Sequence, residues 1–206
     1  MNPLQDLLRQ MTSLLAVRRQ PWALVGGLAV SIRTEPRFTR DIDLAVAVCD
    51  DPAAESLVFE LQAKGFRTLA TVEQQETRRL ATARMAPAGG QDTGLMVDLL
   101  FASSGIEAEV CAAAEPLAVF PGITVPVARI HHLIALKVLA RDDRTRPQDA
   151  ADLRLLIAAA RTPDLDASLE AMRLIEARGF HRGRNLVQAF RTVLGEYPAQ
   201  IGSSHA

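Results

Sequence analysis

Two aspartates, Asp41 and Asp43, stand one residue apart inside an apolar stretch of this 206-residue chain. Side chains in a β-strand alternate between its two faces, so both carboxylates would leave the same face of one strand. Like charges held this close repel each other unless a cation lies between them. Carboxylate oxygens suit Mg²⁺, which proteins hold through one or two carboxylates together with substrate phosphates. The pair therefore predicts a metal-dependent phosphoryl- or nucleotidyl-transfer site.

The elements around the pair follow from apolar patterning. Alternating apolar residues predict a buried strand over 41–48, and residues 22–25 predict a short strand that runs into Gly26-Gly27. A helix over 28–32 and a loop over 34–40 connect the two strands. Residues 95–101 predict a further, strongly apolar strand with one acid, Asp98, in its middle.

The remaining apolar patterns predict more strands before residue 128 and only helices after it. Helices are predicted over 4–15, 52–64, 106–114, 130–141, from 147, over 165–177 and over 182–194, and strands over 66–72, 79–85, 117–120 and 123–127. Residues 88–92 predict a hairpin connection. Strands thus dominate first and helices later, which predicts an α+β (mixed α/β) chain. We expect a catalytic core over 1–127 and a helical region over 128–206 packed on it.

Composition limits the partners. The net charge of −1 gives no global basic field for nucleic acid, and 4% aromatic residues offer little stacking surface. Two arginine clusters, Arg33, Arg37 and Arg40 and then Arg141, Arg144 and Arg146, leave local basic patches. The two cysteines have no zinc-ligand spacing, the N-terminus has no signal-peptide pattern, and no apolar run reaches the ~18 residues of a membrane span. These features predict a soluble cytoplasmic protein without a membrane partner.

The spacing between the Gly-Gly turn and the aspartates has a precedent. Residues 28–40 separate Gly27 from Asp41. An apolar residue, Gly-Gly, a spacer of this size and then Asp-x-Asp resemble the signature of the nucleotidyltransferase superfamily that includes DNA polymerase β. That superfamily has a third acid on a later strand, and Asp98 in Met96-Val97-Asp98-Leu99-Leu100 corresponds to it.

The chain resembles the AbiEii toxin branch of that superfamily more closely. Gly26-Gly27-Leu28-Ala29-Val30 and Arg37-Phe38-Thr39-Arg40-Asp41-Ile42-Asp43-Leu44 match it, as do a downstream helical lysine, Lys137, and an acidic helix start with Asp149 and Asp152. The resemblance covers roughly residues 22–157. It implies the nucleotidyltransferase fold, a small mixed sheet flanked by helices, followed by a C-terminal helical bundle.

Roles follow from this resemblance. Gly26 and Gly27 would let the triphosphate approach the backbone, and Arg40 would add a nucleotide contact. The metal ligands for Mg²⁺, expected as two ions, would be Asp41, Asp43 and Asp98, and Asp98 would also help to activate the incoming hydroxyl.

The downstream matches would supply the remaining groups. Lys137 would bind a phosphate as a point charge. Asp149 and Asp152 share a helix face, and either could be the functional acid. Simpler interpretations stay open: Asp98 could partner a buried arginine, Lys137 could extend its charge to solvent, and Asp149 could favour its helix dipole.

Three functions are compatible with these residues. The first is a Mg²⁺-dependent transfer of NMP from an NTP to an acceptor such as tRNA, by the toxin of an AbiEii-like toxin–antitoxin pair with a protein antitoxin as partner. The second is the same chemistry on a small-molecule antibiotic. The third is a non-catalytic member that only binds nucleotide.

Overall fold

The computed structural model describes residues 2–89, 94–141 and 147–196. In chain order the elements are α1 (Pro3–Arg18), β1 (Trp22–Val25), α2 (Gly26–Arg33), β2 (Asp41–Val46), α3 (Asp51–Ala63), β3 (Arg67–Glu73), β4 (Leu80–Ala86), β5 (Met96–Leu100), α4 (Glu107–Ala113), β6 (Glu115–Phe120), β7 (Ile123–Val127), α5 (Ile130–Ala140), α6 (Pro147–Ala159), α7 (Thr162–Ala177) and α8 (Leu186–Glu196). The predicted mixed α/β class with a helical C-terminal half is confirmed.

One seven-stranded mixed sheet organises the chain. Its strand order is β3-β4-β5-β2-β1-β7-β6, so the aspartate strand β2 lies in the interior of the sheet. β2 pairs antiparallel with β1 and parallel with β5, and β1 pairs parallel with β7. Because β2 and β5 are parallel neighbours, acids at matching positions on the two strands face the same side.

The strands of the interior are apolar because both faces of the sheet are covered. Every residue of β1 is buried, and so are Ile42, Leu44, Ala45 and Val46 of β2. The long helix α5 contributes Leu133, Ile134, Ala135, Val138 and Leu139 to the same core. This burial fixes the register of β2, because a shift by one residue would turn its aspartates into the core.

Helix starts account for most of the differences from the sequence-based boundaries. Helix α2 begins at Gly26 rather than at residue 28, and α7 begins at Thr162 because Asp164 accepts a hydrogen bond from the Arg161 amide at 3.0 Å. Polar capping residues precede an apolar stripe and are invisible to periodicity. Helix α8 starts at Leu186, after Arg182 and Gly183 adopt positive φ angles.

The structure does not test every expectation from the sequence. The 88–92 hairpin and the arginines Arg144 and Arg146 fall partly or wholly outside the described residues. The division at residue 127 stays a prediction. Within the described ranges, no helix has both the length and the hydrophobicity that crossing a bilayer requires.

Candidate functional site

Four side chains form a row across adjacent strands. In the pairing register Val25 lies opposite Asp43, Asp43 opposite Asp98, and Asp98 opposite Arg84 of β4. Paired residues in a sheet point to the same face, and Asp41 joins them because it is two residues from Asp43. The sequence-predicted acids Asp41, Asp43 and Asp98 are therefore brought together on one surface, and we call these three residues the acidic row.

Gly26 lies at the end of this row, where β1 turns into α2. Its φ of +63° belongs to the left-handed region, which glycine adopts without strain. A Cβ at Gly26 would lie 1.9 Å from Oδ2 of Asp43. The close approach of the Asp43 carboxylate therefore requires glycine here, and it ties the Gly-Gly turn directly to the acidic strand.

The start of α2 also leaves backbone donors available. No side chain caps this helix, whose N-cap residue is Val25. The first amides of a helix have no intrahelical acceptor, and the helix dipole favours anions at that end. A phosphate group next to Gly26 and Gly27 would meet these amides.

Asp98 has a partner that the sequence did not identify. Arg84 Nε donates to Oδ1 of Asp98 at 2.8 Å, and Arg84 Nη2 donates to Oδ2 at 2.6 Å. The carboxylate is nearly buried, whereas the arginine side chain is 42% exposed. The interpretation of Asp98 as the partner of an arginine thus describes its contacts, and both of its oxygens are engaged.

Burial and mutual repulsion mark Asp43 as the most perturbed acid of the row. Burial raises the pKa of Asp43 to about 7, the negative charges of Asp98 and Asp41 add to the rise, and the Lys137 ammonium opposes it. Burial likewise raises the pKa of Asp41, against the charge of Arg84. A cation placed between the two β2 carboxylates would relieve this cost.

The carboxylates on this face of the sheet are the groups that could hold Mg²⁺. Asp41 and Asp43 offer two hard oxygen ligands on one face, which is the protein share that Mg²⁺ takes when phosphates complete its shell. Asp98 is held by Arg84. Across the described residues, no three histidine, cysteine, aspartate or glutamate side chains are grouped closely enough to hold a metal by themselves.

Lys137 lies in a cluster with both candidate acids of α6. Its Nζ is 2.7 Å from Oδ1 of Asp149 and 2.7 Å from Oδ2 of Asp152. The Asp152 side chain is 1% exposed and the Asp149 side chain 9% exposed, so both charges are largely removed from water. Both aspartates thus pair with the Lys137 ammonium, and Asp149 accepts a hydrogen bond from it.

Arg37, in the loop before β2, completes this cluster. Its Nη2 donates to Oδ2 of Asp152 at 2.9 Å, and its Nε lies 2.8 Å from Oδ1. The same guanidinium covers Gly27, where a Cβ would lie 2.3 Å from Nη2. Arg40, the predicted nucleotide contact, is exposed and its guanidinium carbon lies 5.3 Å from the centroid of the Phe38 ring.

A cavity of about 350 Å³ opens beside the loop that carries these arginines. Its lining includes Arg37, Phe38 and Arg40 from the loop and Leu28 from α2. Among the described residues no carboxylate side chain lines it, and Phe38 is 78% exposed. Arg40 therefore gives the cavity a positive charge beside apolar surface, since Asp152 balances the charge of Arg37. This lining suits an anionic molecule with a planar apolar part.

The sheet order, the Gly-Gly turn and the acidic row define a nucleotidyltransferase fold. The protein belongs to the family described as nucleotidyl transferase AbiEii toxin, type IV toxin–antitoxin system, whose sequence model matches residues 9–201. It is accordingly a nucleotidyltransferase. No curated protein matches the chain at a significant level.

Two solved structures are similar to this chain at low sequence identity, and the first of them shares its fold. An antigenic nucleotidyltransferase-like protein from Paracoccidioides brasiliensis is 17% identical, with 95% of this chain and 88% of that chain covered and a TM-score of 0.56. The antibiotic-resistance factor ANT(2″)-Ia is 21% identical over 95% and 96% of the two chains, with a TM-score of 0.49.

Two functional candidates were missed from the sequence alone. Arg84 and Arg37 each hold an acid of the proposed site, but neither lies beside that acid in the sequence. Arg37 belongs to the first arginine cluster, so the sequence indicated a basic residue near the site but not its partner Asp152. Arg84 alternates with the apolar residues of β4, which is also the pattern of an ordinary surface arginine.

Proposed function

We propose that this nucleotidyltransferase moves NMP from an NTP to an anionic acceptor such as tRNA, with Mg²⁺ held by Asp41 and Asp43. The observation that carries the proposal is the placement of the acidic row beside the uncapped start of α2. In that arrangement a cation held by Asp41 and Asp43 would lie next to backbone amides that favour a phosphate.

The reaction would use the side chains around the row as follows. The acceptor hydroxyl oxygen forms a bond to the α-phosphorus, the bond from that phosphorus to the β-bridging oxygen breaks, and pyrophosphate leaves. The hydroxyl proton passes to a carboxylate of the row, a role we assign to Asp98, which Arg84 holds in place. Mg²⁺, when bound, would neutralise charge on the phosphates and the leaving group.

Phosphate binding would come from the chain's own cations and amides. The Lys137 ammonium is close enough to the row to lower the pKa of Asp43, so its charge acts where a triphosphate would lie. The amides at Gly26 and Gly27 would face the same phosphates. Arg40, on the exposed side of the loop, would contact the nucleotide from the cavity.

The basic cavity favours an anionic acceptor over a cationic drug. Arg40 contributes a positive charge, and no acid lines the cavity among the described residues, so a polyamine-like antibiotic would meet repulsion and a nucleic acid attraction. Phe38 would offer one face for base stacking. The family description, the toxin of a type IV toxin–antitoxin system, supports a toxin role. We include that role in the proposal, with a cytoplasmic location and a protein antitoxin as partner.

A transfer assay with α-³²P-labelled NTPs tests the proposal. Each NTP is offered total RNA or a panel of aminoglycosides and lincosamides, with and without Mg²⁺. We expect the wild type to label RNA in the presence of Mg²⁺, and the variants Asp41→Asn and Asp43→Asn to lose this labelling. Asp166→Ala removes an exposed acid on α7 and should leave transfer unchanged. Full activity in both aspartate variants would reject the assigned site.

Two alternatives give different results in the same assay. Label on a drug but not on RNA would favour a small-molecule enzyme. Nucleotide binding by calorimetry with no label on any acceptor would favour a non-catalytic member. The retained acids speak for catalysis, because a binding module has no need of three carboxylates on one face.

A further inference from the structure

A buried cluster of four charges connects three separate parts of the chain. Arg37 comes from the loop before β2, Lys137 from α5, and Asp149 and Asp152 from α6. The two cations balance the two acids. Each charge is therefore compensated only while the loop and both helices keep their relative positions.

The hydrogen bonding within this cluster is incomplete. Among the described residues, Nε of Arg37, Oδ1 of Asp152 and Oδ2 of Asp149 are buried without a hydrogen-bond partner. The 2.8 Å approach of Nε to Oδ1 brings charges together without the alignment of a hydrogen bond. Buried polar groups in a purely structural cluster are normally satisfied, and exceptions concentrate where a ligand or a reaction uses them.

The lysine occupies the centre of the cluster. An ammonium group has three N–H donors. One of them donates to Oδ1 of Asp149 at 2.7 Å, and Oδ2 of Asp152 lies 2.7 Å from Nζ as an ion-pair contact. One donor stays available for a phosphate. Its direction depends on how strongly each aspartate attracts the ammonium, since Lys carries a point charge on a flexible stem.

Arg37 controls that balance through Asp152. Its guanidinium shares the Asp152 charge with Lys137, and both cations contact Oδ2 of that carboxylate. The Asp152 side chain is only 1% exposed, so water screens its charge little. Without Arg37, Lys137 would be the one counter-charge left to it among the described residues. The ammonium would then be drawn toward Asp152 and away from the nucleotide.

We infer that Arg37 is a positioning residue of the transfer site, which acts through Asp152 to hold the Lys137 ammonium where it can bind a nucleotide phosphate. The inference rests on the proposed function of Lys137. It also gives both α6 aspartates a defined task, which is to position the lysine instead of accepting a proton.

The test combines nucleotide affinity with kinetics. Calorimetry measures the affinities for the α,β-methylene analogues of the four NTPs with Mg²⁺. Turnover of the natural NTPs gives KM and kcat. The variants are Arg37→Ala, Arg37→Lys, Asp152→Asn and the double variant Arg37→Ala with Asp152→Asn. Arg18→Ala is the matched control, because Arg18 forms an ion pair with Glu60 at 3.0 Å between α1 and α3, with a similarly half-buried side chain.

Arg37→Ala should weaken nucleotide affinity and raise KM roughly ten- to hundredfold, the range of one hydrogen bond to a charged group, with a smaller change in kcat. Arg37→Lys should recover part of the loss, since it restores the charge but not the planar fork. In the Asp152→Asn background, Arg37→Ala should have little further effect, because its route of action is gone. Arg18→Ala should bind nucleotide like the wild type.

Two results would overturn the inference while leaving the proposed function intact. Additive losses in the double variant would show that Arg37 acts independently of Asp152. An Arg37→Lys variant that is folded, by its thermal melt, yet no better than Arg37→Ala would show that the shared charge is not the cause. A wild-type protein that neither binds nor turns over any NTP would instead reject the proposed function and the inference with it.

Discussion

Replacement of Gly26 by alanine tests the link between the Gly-Gly turn and the acidic row. The new methyl group would lie 1.9 Å from Oδ2, 2.4 Å from Cγ and 2.7 Å from Cβ of Asp43. Atoms that close cannot coexist, so either the carboxylate rotates away or β1 and β2 separate. The φ of +63° would in addition place an L-residue in the left-handed region.

The expected cost has two separable parts. The left-handed backbone costs an alanine about 1–2 kcal/mol. Forcing an extra methyl group into a packed position costs about 1–3 kcal/mol more. Gly26→Ala should therefore lower the free energy of unfolding by about 2–5 kcal/mol, and a displacement of Asp43 by 1 Å should reduce kcat about a hundredfold.

Gly122→Ala provides the matched control. Gly122 has a φ of +73° in the turn between β6 and β7, and nothing lies within 4 Å of its Cβ position. It should show the backbone cost alone, with normal turnover. Urea unfolding and NTP turnover of both variants measure the two parts, and equal unfolding free energies with equal activities would refute the crowding of Asp43.

Three further outcomes are expected. Burial, and then the charge of the neighbouring histidine, lowers the pKa of His132 to about 4. Between pH 6.5 and pH 4 the unfolded chain therefore binds a proton at His132 that the folded chain excludes, so the wild type loses stability as the pH falls. His132→Leu should abolish this part of the pH dependence. Urea unfolding across that range checks it. Arg84→Ala should raise Mn²⁺ affinity without nucleotide about tenfold, measured by calorimetry, because it frees the Asp98 carboxylate and removes one positive charge. Asp50→Ala should cost about 1 kcal/mol in thermal unfolding with unchanged turnover, since Asp50 caps α3 far from the row.

Each of these outcomes has a result that contradicts it. A His132→Leu protein with the wild-type decline below pH 6.5 would assign that decline to other groups. Weaker Mn²⁺ binding in Arg84→Ala would mean that the arginine orders Asp98 for the metal instead of competing with it. Normal melting of Asp50→Ala would show that the hydrogen bond from the Ala53 amide, at 2.9 Å, adds nothing to stability.

The strands and their acids were predictable because the relevant signals are local. Alternation with a period of two places Asp41 and Asp43 on one face without any knowledge of neighbouring strands. The apolar run 95–101 predicted a strand around Asp98, and the resemblance made Asp98 the third acid. The register of β2 with β5 places it opposite Asp43. The apolar patterns also located the fifteen elements of the described residues, with ends displaced by a few residues.

The ion-pair network was not predictable because it depends on contacts across elements. Arg84 meets Asp98 only through the pairing of β4 with β5, and Arg37 meets Asp152 across 115 positions of sequence. Periodicity gives the face of a helix but not what stands opposite it. The expected phosphate lysine and the expected acidic helix were found separately, and the structure adds that they contact each other.

The parallel pairing of β1 with β7 has a consequence during synthesis on the ribosome. Leu24 is placed beside Val127, so β1 gains its second neighbour only after about 100 further residues have been made. A nascent chain that ends at Leu100 already carries the acidic row but lacks β7, the lysine helix and α6. Because synthesis runs from the N-terminus at roughly 5–20 residues per second, Lys137 arrives seconds after the acids. If Lys137 binds phosphate as proposed, prematurely terminated products would lack a complete transfer site, and only nearly finished chains would be active.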